Sequence, residues 1–168
     1  MNSEANCITP PAGNATNPPT ILQVLPSLET GGVERGTLDI AKALKETGWR
    51  PIVASSGGTM VHELERIGID HFVMPLHSKN PYVIRRNIAR LRILIESEGA
   101  NIVHARSRAP AHSAITAARQ ANVHFMTTFH ATYNFSTKLK RWYNSVMTKG
   151  ERVIAISNTL KEHILENY

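Results

Sequence analysis

The chain has 168 residues, of which 42% are hydrophobic and 19% are charged. These proportions are ordinary for one globular domain and exclude a disordered or fibrous protein. No apolar run approaches the roughly 18 residues that a membrane-spanning helix needs. Lys and Arg outnumber Asp and Glu by 19 to 13, which favours anionic partners such as phosphorylated sugars or acidic lipid, with a solubilising surface as the alternative. Nucleic acid is not an expected partner, because no nucleic-acid-binding motif accompanies the charge.

The first 19 residues are rich in Pro, Asn, Thr and Ala, which predicts a flexible leader before a single domain over residues 20–168. This leader lacks the basic start and apolar centre of a signal peptide, so we expect a cytoplasmic protein. The one cysteine, Cys7, lies in the leader, and neither an internal disulfide nor cysteine catalysis is expected. The eight histidines show no chelating spacing such as H-E-x-x-H, so we expect no bound metal.

From Thr20 onward, short apolar runs alternate with segments of helical periodicity. Strands are predicted over residues 21–25, 51–55, 71–74, 102–105, 124–128 and 153–156. Helices are predicted over residues 33–47, 59–67, 81–98, 109–120, 137–148 and 158–167. Such alternation builds parallel βαβ units with right-handed crossovers, so the sequence predicts an α/β fold with a doubly wound, Rossmann-like parallel sheet.

In an open parallel sheet, ligands bind outside the carboxyl ends of the strands. The candidate loops are therefore residues 26–32, 55–59, 75–80, 106–108 and 129–134. In the first loop, Gly31 and Gly32 would let a phosphate approach the N-terminus of the following helix, although a tight turn is the alternative. The loop is not G-x-G-x-x-G and no G-x-S-x-G is present, which disfavours a dehydrogenase and a serine hydrolase.

The fifth predicted strand delivers His130 to this crevice, where an imidazole can hydrogen-bond a sugar hydroxyl or support developing charge. A structural histidine is the alternative. After the fourth strand, Arg106 and Arg108 can bind a phosphate, and a solvated position is the alternative for both. The loop Ser55-Ser56-Gly57-Gly58 is more typical of a turn than of a site.

Two basic stretches suit docking on an anionic membrane surface, with the solvated backs of two core-facing helices as the alternative. The second stretch mixes cations with aromatic side chains. The stretches comprise Arg85, Arg86, Arg90 and Arg92, and Lys138, Lys140, Arg141, Trp142 and Tyr143.

Four segments together resemble the amino-terminal domain of glycosyltransferase family 4. They are V-L-P-S-L-E-T-G-G-V-E-R-G-T-L-D-I-A-K-A-L (24–44), N-I-V-H-A-R-S-R-A-P-A (101–111), T-T-F-H-A-T-Y (127–133) and V-I-A-I-S-N-T-L-K-E-H-I (153–164). The resemblance implies a GT-B fold, in which two Rossmann-like domains face each other across a cleft. It also implies retaining transfer from a nucleotide-sugar, without a metal or other cofactor, to an acceptor held mainly by the amino-terminal domain.

The resemblance also implies roles for particular residues. Gly31 and Gly32 would approach the donor diphosphate, and His130 would sit beside the transferred sugar as the catalytic residue. Glu34 and Arg35 would line the acceptor side. The substrate-binding candidates further include Arg106, Ser107 and Thr132, of which Arg106 stands where many relatives carry a second histidine.

No segment matches the second domain, which in the family supplies a basic pair for the diphosphate and an E-x7-E element. We therefore expect negligible transfer from these 168 residues alone, whether they are a fragment, a truncated reading frame or one subunit of a split enzyme. The expected acceptor is a glycan or lipid-linked molecule of the cell-envelope polysaccharide or lipopolysaccharide type, met at the inner face of the membrane. The alternatives are a non-catalytic module that binds a glycan or partner, and half of a sugar-nucleotide 2-epimerase, which the T-G-G-V-E-R loop fits less well.

Overall fold

The computed structural model describes residues 17–133 and 136–168. Six parallel strands form one sheet in the order β3-β2-β1-β4-β5-β6, with helices on both faces. The strands are β1 (Thr20–Val24), β2 (Arg50–Ser55), β3 (Asp70–Val73), β4 (Ile102–Ala105), β5 (His124–Phe129) and β6 (Arg152–Ala155). The helices are α1 (Gly32–Glu46), α2 (Val61–Arg66), α3 (Pro81–Glu98), α4 (Arg108–Gln120), α5 (Lys138–Asn144) and α6 (Asn158–Asn167). The doubly wound architecture predicted from the alternation is confirmed.

The predicted leader, residues 1–19, lies outside the described residues apart from its last three. Within the described ranges, no helix combines the length and the apolar character needed to cross a bilayer.

The strand order reverses between β1 and β4, because the chain first builds outward through β2 and β3 and then returns to the other side of β1. At this point Val24 is in register with both Ala54 and Ala105. The three central strands therefore end side by side. A crevice at such a reversal is where open α/β sheets bind their ligands.

Each face of the sheet has its own apolar core. On one face the side chains of Leu22, Val103 and Phe129 pack with α3 and α4. On the other, Val53 packs with Leu38 of α1 and with residues of α2. Burial on both faces explains why the central strands read as continuous apolar runs rather than as alternating patterns.

Local signals fix the bounds of α3 where the sequence predicted them. The Asn80 side chain accepts a hydrogen bond from the Tyr82 N–H at 2.9 Å, and Pro81 occupies the first turn. Gly99 ends the helix in the left-handed conformation, with φ at 61°. Asn at the N-cap, Pro in the first turn and Gly beyond the last turn are the preferred residues for these positions.

The single helix predicted over residues 137–148 is wrong in its second half. The α-helix ends at Asn144, and a 3₁₀ turn, Ser145–Thr148, follows. Asn144 is buried and accepts a hydrogen bond from Arg108 Nη1 at 2.8 Å. The Thr127 hydroxyl donates to the carbonyl of Met147. These long-range contacts to α4 and β5 hold the segment in the tighter turn.

Candidate functional site

The loop after β1 is fixed in place by the loop after β2. The Leu28 N–H donates to the Gly57 carbonyl, and the Met60 N–H donates to the Leu28 carbonyl, both at 2.8 Å. Gly58 has φ at 143°, and a Cβ there would lie 2.4 Å from the Leu28 carbonyl carbon. The segment 56–58 that follows β2 thus supports the loop that carries Gly31 and Gly32.

The N-terminus of α1 is open at Gly32. Gly32 is exposed, and beyond its chain neighbours and its own helix backbone no atom of the described residues lies within 4 Å of the position that a Cβ would occupy. Gly31 has extended backbone, and its carbonyl accepts from the Arg35 N–H at 2.9 Å. Neither glycine has positive φ, so the backbone itself does not demand glycine at either position. The first-turn N–H groups of α1 have no acceptor within the helix, and the exposed Gly32 leaves space beside this turn.

The two charged candidates on α1 are held differently. Glu34 folds back, so that a Cβ on Gly31 would meet its carboxylate oxygen at 2.3 Å. Arg35 Nη1 forms an ion pair with Glu63 Oε2 of α2 at 3.1 Å, and its side chain is largely exposed. Glu34 therefore lies against the glycine loop, whereas Arg35 is held towards α2.

Arg106 is a buried cation rather than the accessible loop residue that the sequence suggested. Its relative exposure is 2%. Nη1 donates to Gln23 Oε1 at 3.4 Å, and Nε has no partner among the described residues. A Cβ on Gly36 of α1 would lie 3.0 Å from Nη2, so that glycine leaves room for the guanidinium. Burial lowers the pKa of Arg106 to about 10, which still leaves it charged at neutral pH.

His130 and His104 lie beside this cation. The His104 Nε2 shares a hydrogen bond of 2.7 Å with the Thr128 hydroxyl. Burial lowers the pKa of His104 to about 3, and the charges of Arg106 and His130 add to the effect. Burial, and after it the charge of Arg106, lowers the pKa of His130 to about 4. His130 is therefore a neutral imidazole at physiological pH, and its Nε2 has no partner among the described residues.

A cavity of about 730 Å³ opens beside these groups, at the carboxyl edge of the sheet. The loops after β1, β3, β4 and β5 line it together with α5. Ser107 and Thr132, both predicted to bind substrate, lie in its lining. The sequence did not single out Lys79 or Tyr133, which share that lining. The sequence pointed to Lys79 and Tyr133 only through their positions, because each lies in one of the five candidate loops.

The candidate residues thus fall into three neighbouring groups. Gly31, Gly32, Glu34 and Arg35 surround the start of α1. Arg106 and His130 interact electrostatically at the ends of β4 and β5, and Ser107 and Thr132 belong to the cavity. Within residues 17–133 and 136–168, no group of three or more His, Cys, Asp or Glu side chains is placed to hold a metal ion.

The fold and the crevice define a Rossmann-like domain of the kind that forms one half of a GT-B enzyme. A family model described as Glycosyltransferase Family 4 matches residues 30–168. The chain belongs to this family. No curated protein matches the chain.

Solved structures show the same architecture. A glycosyltransferase from Rickettsia africae ESF-5 matches with a TM-score of 0.79 and 50% sequence identity, over 90% of this chain and 40% of that one. Anabaena Alr3699/HepE, in complex with UDP and glucose, matches with a TM-score of 0.68 and 18% identity, over 88% of this chain and 40% of that one. MurG of Acinetobacter baumannii matches with a TM-score of 0.66 and 17% identity, over 84% of this chain and 42% of that one. The chain spans about 40% of the length of these proteins.

Proposed function

We propose that this chain is the acceptor-side half of a retaining, metal-independent glycosyltransferase that moves a sugar from a nucleotide-sugar to a glycan or lipid-linked acceptor. The observation that carries the proposal is the arrangement at the carboxyl edge of the sheet. An open helix N-terminus at Gly32, a buried cation at Arg106 and a neutral imidazole at His130 meet there, in a chain of Glycosyltransferase Family 4. The acceptor class is that of cell-envelope polysaccharide or lipopolysaccharide synthesis.

The donor diphosphate fits the N-terminus of α1. Backbone N–H groups and the helix dipole favour a phosphate at this position, and the absence of a side chain at Gly32 allows a close approach. The complex of HepE with UDP and glucose supports a nucleotide-sugar as the donor class. The second wall of the cleft would come from a carboxyl-terminal domain, because one wall alone does not position donor and acceptor together.

Arg106 and His130 would act on opposite charges of the transition state. When the bond between the sugar and the diphosphate breaks, negative charge grows on the leaving group and positive charge grows on the sugar ring. The fixed charge of Arg106 and the start of α1 would stabilise the former, which is the work that a metal performs in other transferases. His130, neutral at physiological pH, would hydrogen-bond the transferred sugar without adding a second positive charge beside it.

A peripheral position at the inner face of the membrane would bring a lipid-linked acceptor to this site. On α5, Leu139 is 73% exposed and Trp142 is 64% exposed, and the same helix carries Lys138 and Arg141. Each basic residue near an anionic surface contributes about 1 kcal/mol of binding. Sedimentation with vesicles tests this point: binding should need anionic lipid and should weaken when Trp142 is replaced by Ser.

The transfer reaction is tested by joining this chain to the second domain of the Rickettsia africae glycosyltransferase, which is 50% identical to it over the shared region. The chimera and the chain alone would be given UDP-, GDP- and ADP-sugars, membrane extract as acceptor, and EDTA. We expect transfer by the chimera only, with the anomeric configuration retained and with activity lost in His130→Ala. His62→Ala, on the exposed side of α2, serves as the control. Saturable glycan binding without transfer in both samples would instead favour a binding module.

A further inference from the structure

The cavity beside the proposed reaction centre is lined by both cationic and aromatic side chains. Lys79, Arg108 and Lys140 line it, together with His77. Tyr133, Trp142 and Tyr143 also line it, and we call these three side chains the aromatic wall. No Asp or Glu is present among the described residues of the lining. A cavity with cations and no carboxylates attracts an anionic ligand.

The sequence around the cavity extends this imbalance of charge. Residues 71–95 and 99–150 contain five and seven of the nineteen Lys and Arg residues, and neither segment contains Asp or Glu. Apart from Pro26, the described residues of the lining come from these two segments. The positive field at its mouth is therefore not offset by neighbouring acidic residues along the same stretches of chain.

Arg108 is held in one orientation at the cavity wall. Its Nη1 donates to Asn144 Oδ1 at 2.8 Å. Its guanidinium carbon lies 4.1 Å from the centre of the Tyr133 ring. Within the described parts of the chain, Nη1 is the guanidinium nitrogen that donates a hydrogen bond, so the N–H groups on Nε and Nη2 remain for a ligand. A guanidinium fixed in this way binds a phosphate with less loss of side-chain entropy than a mobile one.

The start of α4 supplies further donors to the same cavity. Ser107 is the N-cap residue, but its hydroxyl accepts no capping hydrogen bond. The third helical residue, Pro110, has no N–H. The N–H groups of Arg108 and Ala109 have no acceptor within the helix, and both residues line the cavity. The helix dipole adds positive potential there.

The aromatic wall fits the rest of such a ligand. Tyr143 stacks on His112 with ring centroids 4.4 Å apart, which fixes the plane of its ring. Trp142 presents an exposed indole on the same helix. Flat aromatic faces of this kind bind the apolar face of a sugar ring or a lipid chain, while the neighbouring cations bind its charged group.

We propose that the cavity between the start of α4 and α5 binds a phosphate group of the acceptor, with the adjoining sugar or chain against the Trp142–Tyr143 wall. The proposal rests on the proposed function, because it makes this cavity the acceptor subsite. A sugar phosphate and the phosphate of a lipid headgroup share the recognised chemistry. Binding is measured without a donor or a second domain, so its outcome is independent of whether transfer occurs.

The test is a titration followed by Trp142 fluorescence. The chain has two tryptophans, so Trp49→Phe leaves Trp142 as the reporter inside the cavity. The probes are glucose 1-phosphate, glucose, inorganic phosphate, and vesicles with and without anionic lipid. We expect saturable binding of glucose 1-phosphate, weaker binding of phosphate and no binding of glucose.

Matched variants separate a site from general charge attraction. Arg108→Gln should weaken glucose 1-phosphate binding by about tenfold or more, since it removes a charged hydrogen-bond donor. Lys79→Gln, at an exposed loop position, should weaken it severalfold and avoids the contact with Asn144. Arg119→Gln removes the same charge at the other end of α4 and should leave binding within about twofold.

Three results would overturn the proposal. One is equal binding of glucose and glucose 1-phosphate. Another is an equal loss of affinity in Arg108→Gln and Arg119→Gln. The third is a response to anionic vesicles alone, which would assign the surface to membrane contact rather than to a phosphate subsite. A response to both the vesicles and glucose 1-phosphate, sensitive to Arg108→Gln in each case, would support the subsite and identify a lipid-borne phosphate as its source.

Discussion

Arg106 lies close enough to His130 for its charge to lower the pKa of that imidazole, which burial has already lowered, to about 4. The guanidinium is itself buried, at 2% relative exposure, and it has no carboxylate partner among the described residues. Uncompensated buried charge is costly and tends to be retained at functional sites. We therefore make separate predictions about the protonation of His130 and about the stability of the domain.

Replacing Arg106 with Met should raise the pKa of His130, because the variant removes a neighbouring positive charge. The value should stay below the ordinary 6.5, since burial is the larger cause of the shift. The measurement is an NMR titration of the His130 ring protons in both proteins. Arg119→Met, on the exposed end of α4, controls for the change in overall charge. An unchanged His130 titration in Arg106→Met would show that the two side chains do not interact.

The same Arg106→Met variant should be as stable as the original chain or more stable. The substitution keeps an unbranched apolar stem and removes a desolvated charge that has one 3.4 Å hydrogen bond to Gln23. Arg50→Met is the contrasting variant, because Arg50 pairs with Glu98 at 2.6 Å and with Asp70 at 3.1 Å. Arg50 is partly exposed, so its loss should cost about 1 kcal/mol. Urea denaturation measures the free energy of unfolding of both variants. A larger loss of stability in Arg106→Met than in Arg50→Met would contradict this expectation.

Acid should destabilise the domain through His104. Between pH 6.5 and about 3 the unfolded chain carries a proton on this imidazole and the folded chain does not. The free energy of unfolding therefore falls as the pH falls through this window. Between pH 7 and pH 5, His104 accounts for about 2 kcal/mol of this loss. In His104→Gln, the difference in stability between pH 7 and pH 5 should shrink by that amount. An unchanged difference would mean that His104 takes up a proton in the folded protein.

Gly32 and Gly58 should respond in opposite ways to substitution by Ala. At Gly32 the added methyl approaches no atom of the described residues beyond its own helix, so stability should stay the same or rise slightly. Transfer by the chimera should nevertheless fall by about tenfold or more, because the methyl occupies the proposed diphosphate position. At Gly58 the positive φ and the Leu28 backbone should make Ala cost about 1–3 kcal/mol or more. Full transfer activity in Gly32→Ala would show that the diphosphate does not bind at this loop.

The sequence predicted best those features that local residues determine. The bounds of α3 followed from Asn80, Pro81 and Gly99, which act within a turn of the helix ends. The carboxyl-edge loops followed from the alternation of strands and helices. The end of α5 did not follow, since it depends on contacts from Asn144 to Arg108, 36 residues away in the chain.

The sequence predicted which loops carry the candidate residues. It did not predict how buried each residue is or which other residues surround it. Arg106 appeared in a loop sequence, yet its burial depends on Gln23 in β1 and on the space at Gly36 in α1. A polar residue inside an apolar strand and a glycine inside a helix were the only signals. The phosphate cavity joins Lys79, Tyr133 and Trp142, which no sequence period connects.

We propose that the carboxyl edge of this sheet forms one wall of a glycosyl-transfer site. This proposal is tested most directly by the amide NMR spectrum of the isotope-labelled chimera, recorded with and without the nucleotide-sugar that supports transfer. We expect shifts concentrated at the amides of Gly31, Gly32 and His130, with the amide of Asn101 at the opposite edge of the sheet unaffected. Donor binding that leaves these three amides unchanged, or that shifts both edges alike, would contradict it.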